Sequence, residues 1–145
     1  MDTENFIKQV WQYQKEQDAI YHSVAVKYNL SDTAMWILYV VSESSETYTQ
    51  QDLCRECFYA KQTVHTAINS LMKNGYVELE VIPKTRNQKK IILTQEGWEL
   101  VRNTTDKLRE AEFRAYDKLS EDEAKVYIEV TSKLTAFLRE ELNKL

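Results

Sequence analysis

A chain of 145 residues, 43% of them hydrophobic, can bury one sizeable core and is too short for two independent domains of usual size. No run of eighteen apolar residues occurs, which excludes a membrane-spanning helix. The start, Met-Asp-Thr-Glu-Asn, is acidic where a signal peptide would be basic, so a cytoplasmic location is expected. The net charge of -4 argues at first against a nucleic-acid partner, but the charge is unevenly spread: positions 55 to 90 hold seven Lys or Arg against three acids, a local +4 that leaves -8 for the remainder. A basic patch on an acidic body is the footprint of a DNA-binding face.

From Asp2 to Tyr28, apolar or aromatic residues recur at Phe6, Val10, Tyr13, Ile20, Val24 and Tyr28, flanked by Ile7, Trp11 and Tyr21. The spacing predicts a long helix whose stripe is too wide for one small domain to cover, so part of it should meet another chain or the C-terminal helices. A second helix begins after Ser31 as N-cap. Its middle, Ala34 to Val41, is apolar all round and should be buried on most sides, as a beam between two layers.

Thr49-Gln-Gln-Asp52 has the hydroxyl and carboxylate of a capping box and opens a helix of about two turns through Leu53 to Phe58. A few residues later a second helix is predicted from Lys61 to Asn74, closed by Gly75. Val64, Ala67, Ile68 and Leu71 form its buried stripe, and Gln62, His65, Thr66, Asn69 and Lys73 fall opposite. That polar face carries amide, imidazole and hydroxyl groups able to read base edges in a major groove. Two short helices so tightly joined make a helix-turn-helix.

Tyr76 to Ile82 alternates with period two, which directs Val77, Leu79 and Val81 to the core. After Pro83 comes the basic tip Lys84-Thr-Arg-Asn-Gln-Lys-Lys90, then a strand ending at Ile91, Ile92 and Leu93. This is a hairpin with a cationic end, the wing of a winged helix. Beyond Thr94 as N-cap, a long helix is predicted to about Leu119, followed by a capping box at Ser120 to Glu123 and a last helix carrying Tyr127, Val130, Leu134, Phe137, Leu138 and Leu142.

The order of helix, recognition helix, Lys-Asn-Gly, strand and basic hairpin, with Gln62-Thr63-Val64, Leu71, Gly75 and the exit Leu93-Thr94-Gln-Glu-Gly97, resembles the MarR family of bacterial winged-helix transcriptional regulators. The resemblance covers almost the whole chain. It implies a mainly α fold with a small β-hairpin wing: a winged helix-turn-helix DNA-binding domain at 31–97, and a helical dimerisation layer at 1–30 and 98–145 that interlocks two chains as a homodimer. It also implies a small aromatic or phenolic effector held between the two layers, for which Trp11, Trp36 and Tyr39 are the candidate lining residues. In one place the chain departs from the family: the Asp-x-Arg of the wing falls on Thr85 and Asn87, and Arg86 is carried over by proximity alone.

Cys54 and Cys57 form a Cys-x-x-Cys, yet a structural zinc site wants four ligands and only His22 and His65 remain to help, so no metal or cofactor is expected. Both read as small core-facing residues. With no phosphate-binding glycine loop, metal cluster or Ser-His-Asp set, an enzyme has no candidate residues. Together with the resemblance, which implies the homodimer and a repressor relieved by a small effector, the sequence points to a regulator on a pseudo-palindromic double-stranded operator. Gln62, Thr63, His65, Thr66 and Asn69 are the candidate base or phosphate readers, and Lys61, Lys73, Arg86, Lys89 and Lys90 the candidate backbone contacts. The rivals are a winged-helix adaptor or antirepressor that no longer reads DNA, and a redox sensor on Cys54 and Cys57.

Overall fold

The computed structural model describes residues 1–43 and 47–145. The elements run α1 (Thr3–Lys27), α2 (Asp32–Glu43), α3 (Gln50–Cys57), α4 (Lys61–Lys73), β1 (Val77–Val81), β2 (Lys89–Leu93), α5 (Gln95–Asn103), α6 (Thr105–Tyr116) and α7 (Glu121–Leu142). Among the described residues the chain is mainly helical with one two-stranded antiparallel hairpin, the arrangement of a winged helix. It divides into two compact units, 1–108 and 109–145, and the boundary falls inside α6.

The first unit is built on α2. Ser31 Oγ accepts from the Ala34 amide at 3.1 Å and starts the helix. Because its sequence is apolar all round, α2 can serve two clusters. Ala34, Ile37, Leu38 and Val41 pack with Leu53 of α3, Val64, Ala67, Ile68 and Leu71 of α4, Val77, Ile91 and Leu93 of the hairpin and Val101 of α5. On its other side Met35, flanked by Trp36 and Tyr39, joins Ala25 of α1 and Leu108 of α6. Each large side chain buried in this way stabilises the fold by roughly 1.5–3 kcal/mol.

The hairpin register pairs Val77 with Leu93, Leu79 with Ile91, Glu80 with Lys90 and Val81 with Lys89. Val77, Ile91 and Leu93 are buried and Leu79 half-buried, but Val81 is 53% exposed. The expected inward alternation therefore ends before Val81, which lies where the hairpin extends past the core. The base of β2 is also held on its other edge, where the Ile91 amide donates to Tyr48 O at 2.7 Å.

Thr94 explains the Leu-Thr-x-x-Gly exit. Its hydroxyl donates to Gly75 O (2.6 Å) and accepts from the Gly97 amide (3.0 Å), while its own amide donates to Tyr76 O (3.1 Å). The N-cap of α5 is thereby clasped to the exit of α4. Gly75 has φ +79°, a left-handed conformation that favours glycine, and at Gly97 a Cβ would collide with Tyr76 O, so there only glycine fits.

The long helix expected from Thr94 to about Leu119 is interrupted. It breaks at Thr104 (φ -130°, ψ -84°) into α5 and α6. Two successive side chains turn back on the helix there, Asn103 Nδ2 to Glu99 O (2.8 Å) and Thr104 Oγ1 to Leu100 O (2.6 Å), competing with the amides for those carbonyls. In the second unit, Ser120 and Glu123 form both halves of the expected capping box on α7. No residue of α7 is buried; Tyr127, Val130, Phe137, Leu138 and Leu142 are all exposed.

Candidate nucleic-acid interface

Helix α4 is positioned by its apolar stripe and by its two ends. At its start Phe58 closes α3 in a left-handed conformation (φ 55°), and Ala60 caps α4 without a side-chain bond. At its end Asn74 Nδ2 donates to Ser70 O (2.9 Å) and Lys73 sits in the last turn, where its charge favours the helix dipole. Lys61, Gln62, Thr63, His65, Thr66, Asn69 and Lys73 are all exposed. No acid occurs between Lys61 and Lys73, so nothing on this face repels phosphate. Two pairs of side chains are joined along it: Gln62 Nε2 donates to Thr66 Oγ1 at 3.3 Å, and Asn69 Nδ2 lies 3.0 Å from His65 Nε2.

Phe58 is a feature the spacing did not mark. It is 90% exposed in the turn directly before α4, in a left-handed backbone conformation that a periodicity pattern does not reveal.

The wing tip turns through two more left-handed residues, Lys84 and Asn87, both at φ 62°. Thr85, where the resemblance would place an aspartate, donates its hydroxyl to Ile82 O (2.7 Å) and so stabilises the turn. Arg86 and Lys89 are exposed and, among the described residues, take part in no ion pair. Lys90 differs. The register sets it opposite Glu80, its side chain is only 32% exposed, and Nζ lies 3.3 Å from Glu80 Oε1. Arg55 is likewise engaged, with Nη2 2.7 Å from Asp52 Oδ1. That carboxylate also accepts from the Thr49 amide at 2.9 Å in a complete capping box. The Thr49 amide, helped by Arg55, holds the Asp52 carboxyl below the usual aspartate range against a smaller opposing effect of burial.

Of the three aromatic candidates, two come together. Trp36 lies between Tyr21 and Tyr39, with ring centroids 5.0 and 5.4 Å away in tilted and edge-on geometry. Trp11 is 59% exposed on α1 and lies outside that cluster. On α6, Thr105 is fully buried one turn before Leu108, and its hydroxyl has no hydrogen-bond partner among the described residues. Cys54 and Cys57 are half-buried free thiols packed against the main core, and burial pushes the Cys57 thiol up. A raised thiol is a poor thiolate source, which is the opposite of a redox sensor's requirement. No group of three or more metal-ligating side chains occurs among the described residues, and no described helix is long and apolar enough to cross a membrane.

Residues 28–86 match the model of the MarR family. No curated protein sequence matches the chain. Among solved structures, the fold is similar to that of a MarR family regulator from Neisseria meningitidis (14% identity, 99% of each chain covered, TM-score 0.81). It is also similar to a Staphylococcus aureus MarR in complex with salicylate and kanamycin (18% identity, 96% of this chain and 93% of that chain, TM-score 0.72). A third is the S. aureus MepR in its DNA complex (18% identity, 95% and 98% covered, TM-score 0.70). The resemblance read from the sequence is therefore matched by a family model from the end of α1 to the wing tip, and by a likeness of fold over almost the whole chain.

Proposed function

We propose, from the premise that residues 28–86 match the MarR family model and that the fold over almost the whole chain is like that of MarR regulators, that this protein is a homodimeric, sequence-specific DNA-binding regulator. The observation that carries the reading is α4: its apolar face is consumed by its own core, and its other face is exposed, acid-free and rich in groups that both donate and accept. Two copies would place α4 in successive major grooves of a pseudo-palindromic operator. Gln62, Thr63, His65, Thr66 and Asn69 would read bases or phosphates there. Lys61, Lys73, Arg86 and Lys89 would hold the backbone, with Lys90 a lesser contact because Glu80 already engages it.

Residues 31–97 are the DNA-binding domain in this reading, and 1–30 with 98–145 the dimerisation layer. Support comes from the exposed apolar residues of α1 and, separately, of α7, too many to be left to water in an isolated chain. A dimer also doubles the phosphate contacts, which offsets a cationic patch that is weak in one copy.

A small aromatic or phenolic effector is the reading for Trp36 and Tyr39, with Trp11 as a less supported neighbour. The MarR of S. aureus solved with salicylate is a precedent in fold only. A ligand that favours the wrong spacing of the two α4 helices would empty the DNA-competent state and relieve repression.

Fluorescence anisotropy on the upstream intergenic DNA and on a scrambled duplex, across a salt series, tests the regulator. Tight binding to the first alone with a clear salt slope is expected. Weak and equal binding to both, with no palindrome recovered from random duplexes, would replace it by the adaptor reading, which Thr85 in the aspartate position and the engaged Arg55 and Lys90 favour.

A further inference from the structure

The two joined pairs on α4 restrict what each amide can still offer. An amide nitrogen has two hydrogens and only donates, so Gln62, bonded to Thr66 Oγ1, keeps one N–H and its whole carbonyl oxygen. Asn69, bonded to His65 Nε2, keeps the same set, and neutral His65 then carries its proton on Nδ1. When the N–H anti to the carbonyl makes the internal bond, the one left lies beside the oxygen, and that donor–acceptor pair on one planar group matches a single base edge in the major groove. Adenine presents N7 as acceptor and N6 as donor, whereas guanine presents two acceptors.

Spacing supports the same conclusion. Residues 62, 65, 66 and 69 follow i, i+3, i+4, i+7, the positions from which a helix lying in a major groove reaches base edges. Gln62 and Asn69 are separated by about 10 Å along the helix and roughly 20° around it. With bases about 3.4 Å apart along the duplex, this distance spans two to three base steps.

We infer that Gln62 and Asn69 are adenine readers, addressing two A·T pairs two to three steps apart in each half-site, and that Thr66 and His65, beside any contact of their own, also act as positioning residues that hold the amides in the reading orientation. Fixing each amide before DNA arrives removes part of the rotamer entropy that binding would otherwise cost. The inference rests on the DNA-binding reading above.

The test is selection from random duplexes with the full-length protein, followed by anisotropy on single-base variants of the selected site. The expected motif is a palindrome with A·T at two such positions per half-site, and changing either to G·C should weaken binding roughly 5- to 150-fold. Gln62→Ala should abolish that discrimination at one position and Asn69→Ala at the other. His65→Ala should blunt it at the Asn69 position, and His65→Gln, which restores an acceptor, should recover it. A palindrome on which Gln62→Ala and Asn69→Ala weaken every sequence by the same factor would overturn the adenine assignment and leave DNA binding intact. Failure to enrich any sequence would overturn both.

Discussion

Helices α4 and α7 are both amphipathic, and the chain treats them oppositely. Val64, Ala67, Ile68 and Leu71 of α4 are buried within their own unit, while Tyr127, Val130, Phe137, Leu138 and Leu142 of α7 remain exposed. The same 3.6-residue period thus supports two roles. Where the apolar face is satisfied at home, the polar face is left to solvent; where it is not, the apolar residues themselves stay exposed.

The largest effect should come from breaking the α4 side of this contrast. Ile68→Ala removes a side chain that is fully buried in the main cluster, and a loss of about 2–5 kcal/mol is expected in urea unfolding followed by circular dichroism. An unchanged midpoint would mean that α4 is not anchored by this stripe, and the fixed placement of its polar face would go with it.

On α7 the same kind of change should act on assembly. Phe137, 61% exposed in one chain, should tolerate Asp with no loss of helix content if nothing covers it. If a second copy covers it, Phe137→Asp should weaken the dimer by roughly 2 kcal/mol or more, about 30-fold in dissociation constant, in sedimentation equilibrium. A dimer of unaltered strength would remove α7 from the interface.

The sequence made α4 legible because everything it needs is local: a stripe at 3, 4 and 7 and a glycine at φ +79° past its end. Capping boxes at Thr49 and Ser120 were legible for the same reason. What escaped depends on partners far along the chain or on backbone torsions. The engagement of Lys90 requires the hairpin register that brings it opposite Glu80. The break at Thr104 arises from side chains bonding to carbonyls four residues back, a competition that Asn103 and Thr104 permit without announcing it. Trp11 and Trp36 look alike as letters, yet one packs between two tyrosines and the other lies in solvent.

A smaller effect concerns the start of the helix-turn-helix. Thr49→Ala removes the hydroxyl that accepts from the Asp52 amide, at an expected cost of about 1 kcal/mol. Asp52 itself has a lowered folded-state pKa, so its contribution is present above the ordinary aspartate value and is lost as pH falls through the lowered one. Asp52→Asn should therefore destabilise the protein near neutral pH and progressively less as pH drops below 4, the ordinary aspartate range. A destabilisation independent of pH would assign the effect to packing instead of charge.

The smallest expected effect separates two neighbouring lysines. Lys89 is exposed and, among the described residues, has no ionic partner, whereas Lys90 is drawn back to Glu80 across the hairpin. A lysine that neutralises a phosphate adds about one unit to the slope of log affinity against log salt, so Lys89→Ala should lower the slope by about 1 for each wing engaged. Lys90→Ala should change it less, because in the free protein this charge is already partly neutralised and must leave Glu80 to meet DNA. Glu80→Gln then becomes the informative variant: with its partner gone, Lys90 is released, and the salt slope should rise. Equal slopes for Lys89→Ala and Lys90→Ala would mean that the Glu80 pair is exchanged for phosphate without cost, as exposed ion pairs often are. The wing would then present its full charge to DNA, and the missing aspartate at position 85 would matter little to its grip.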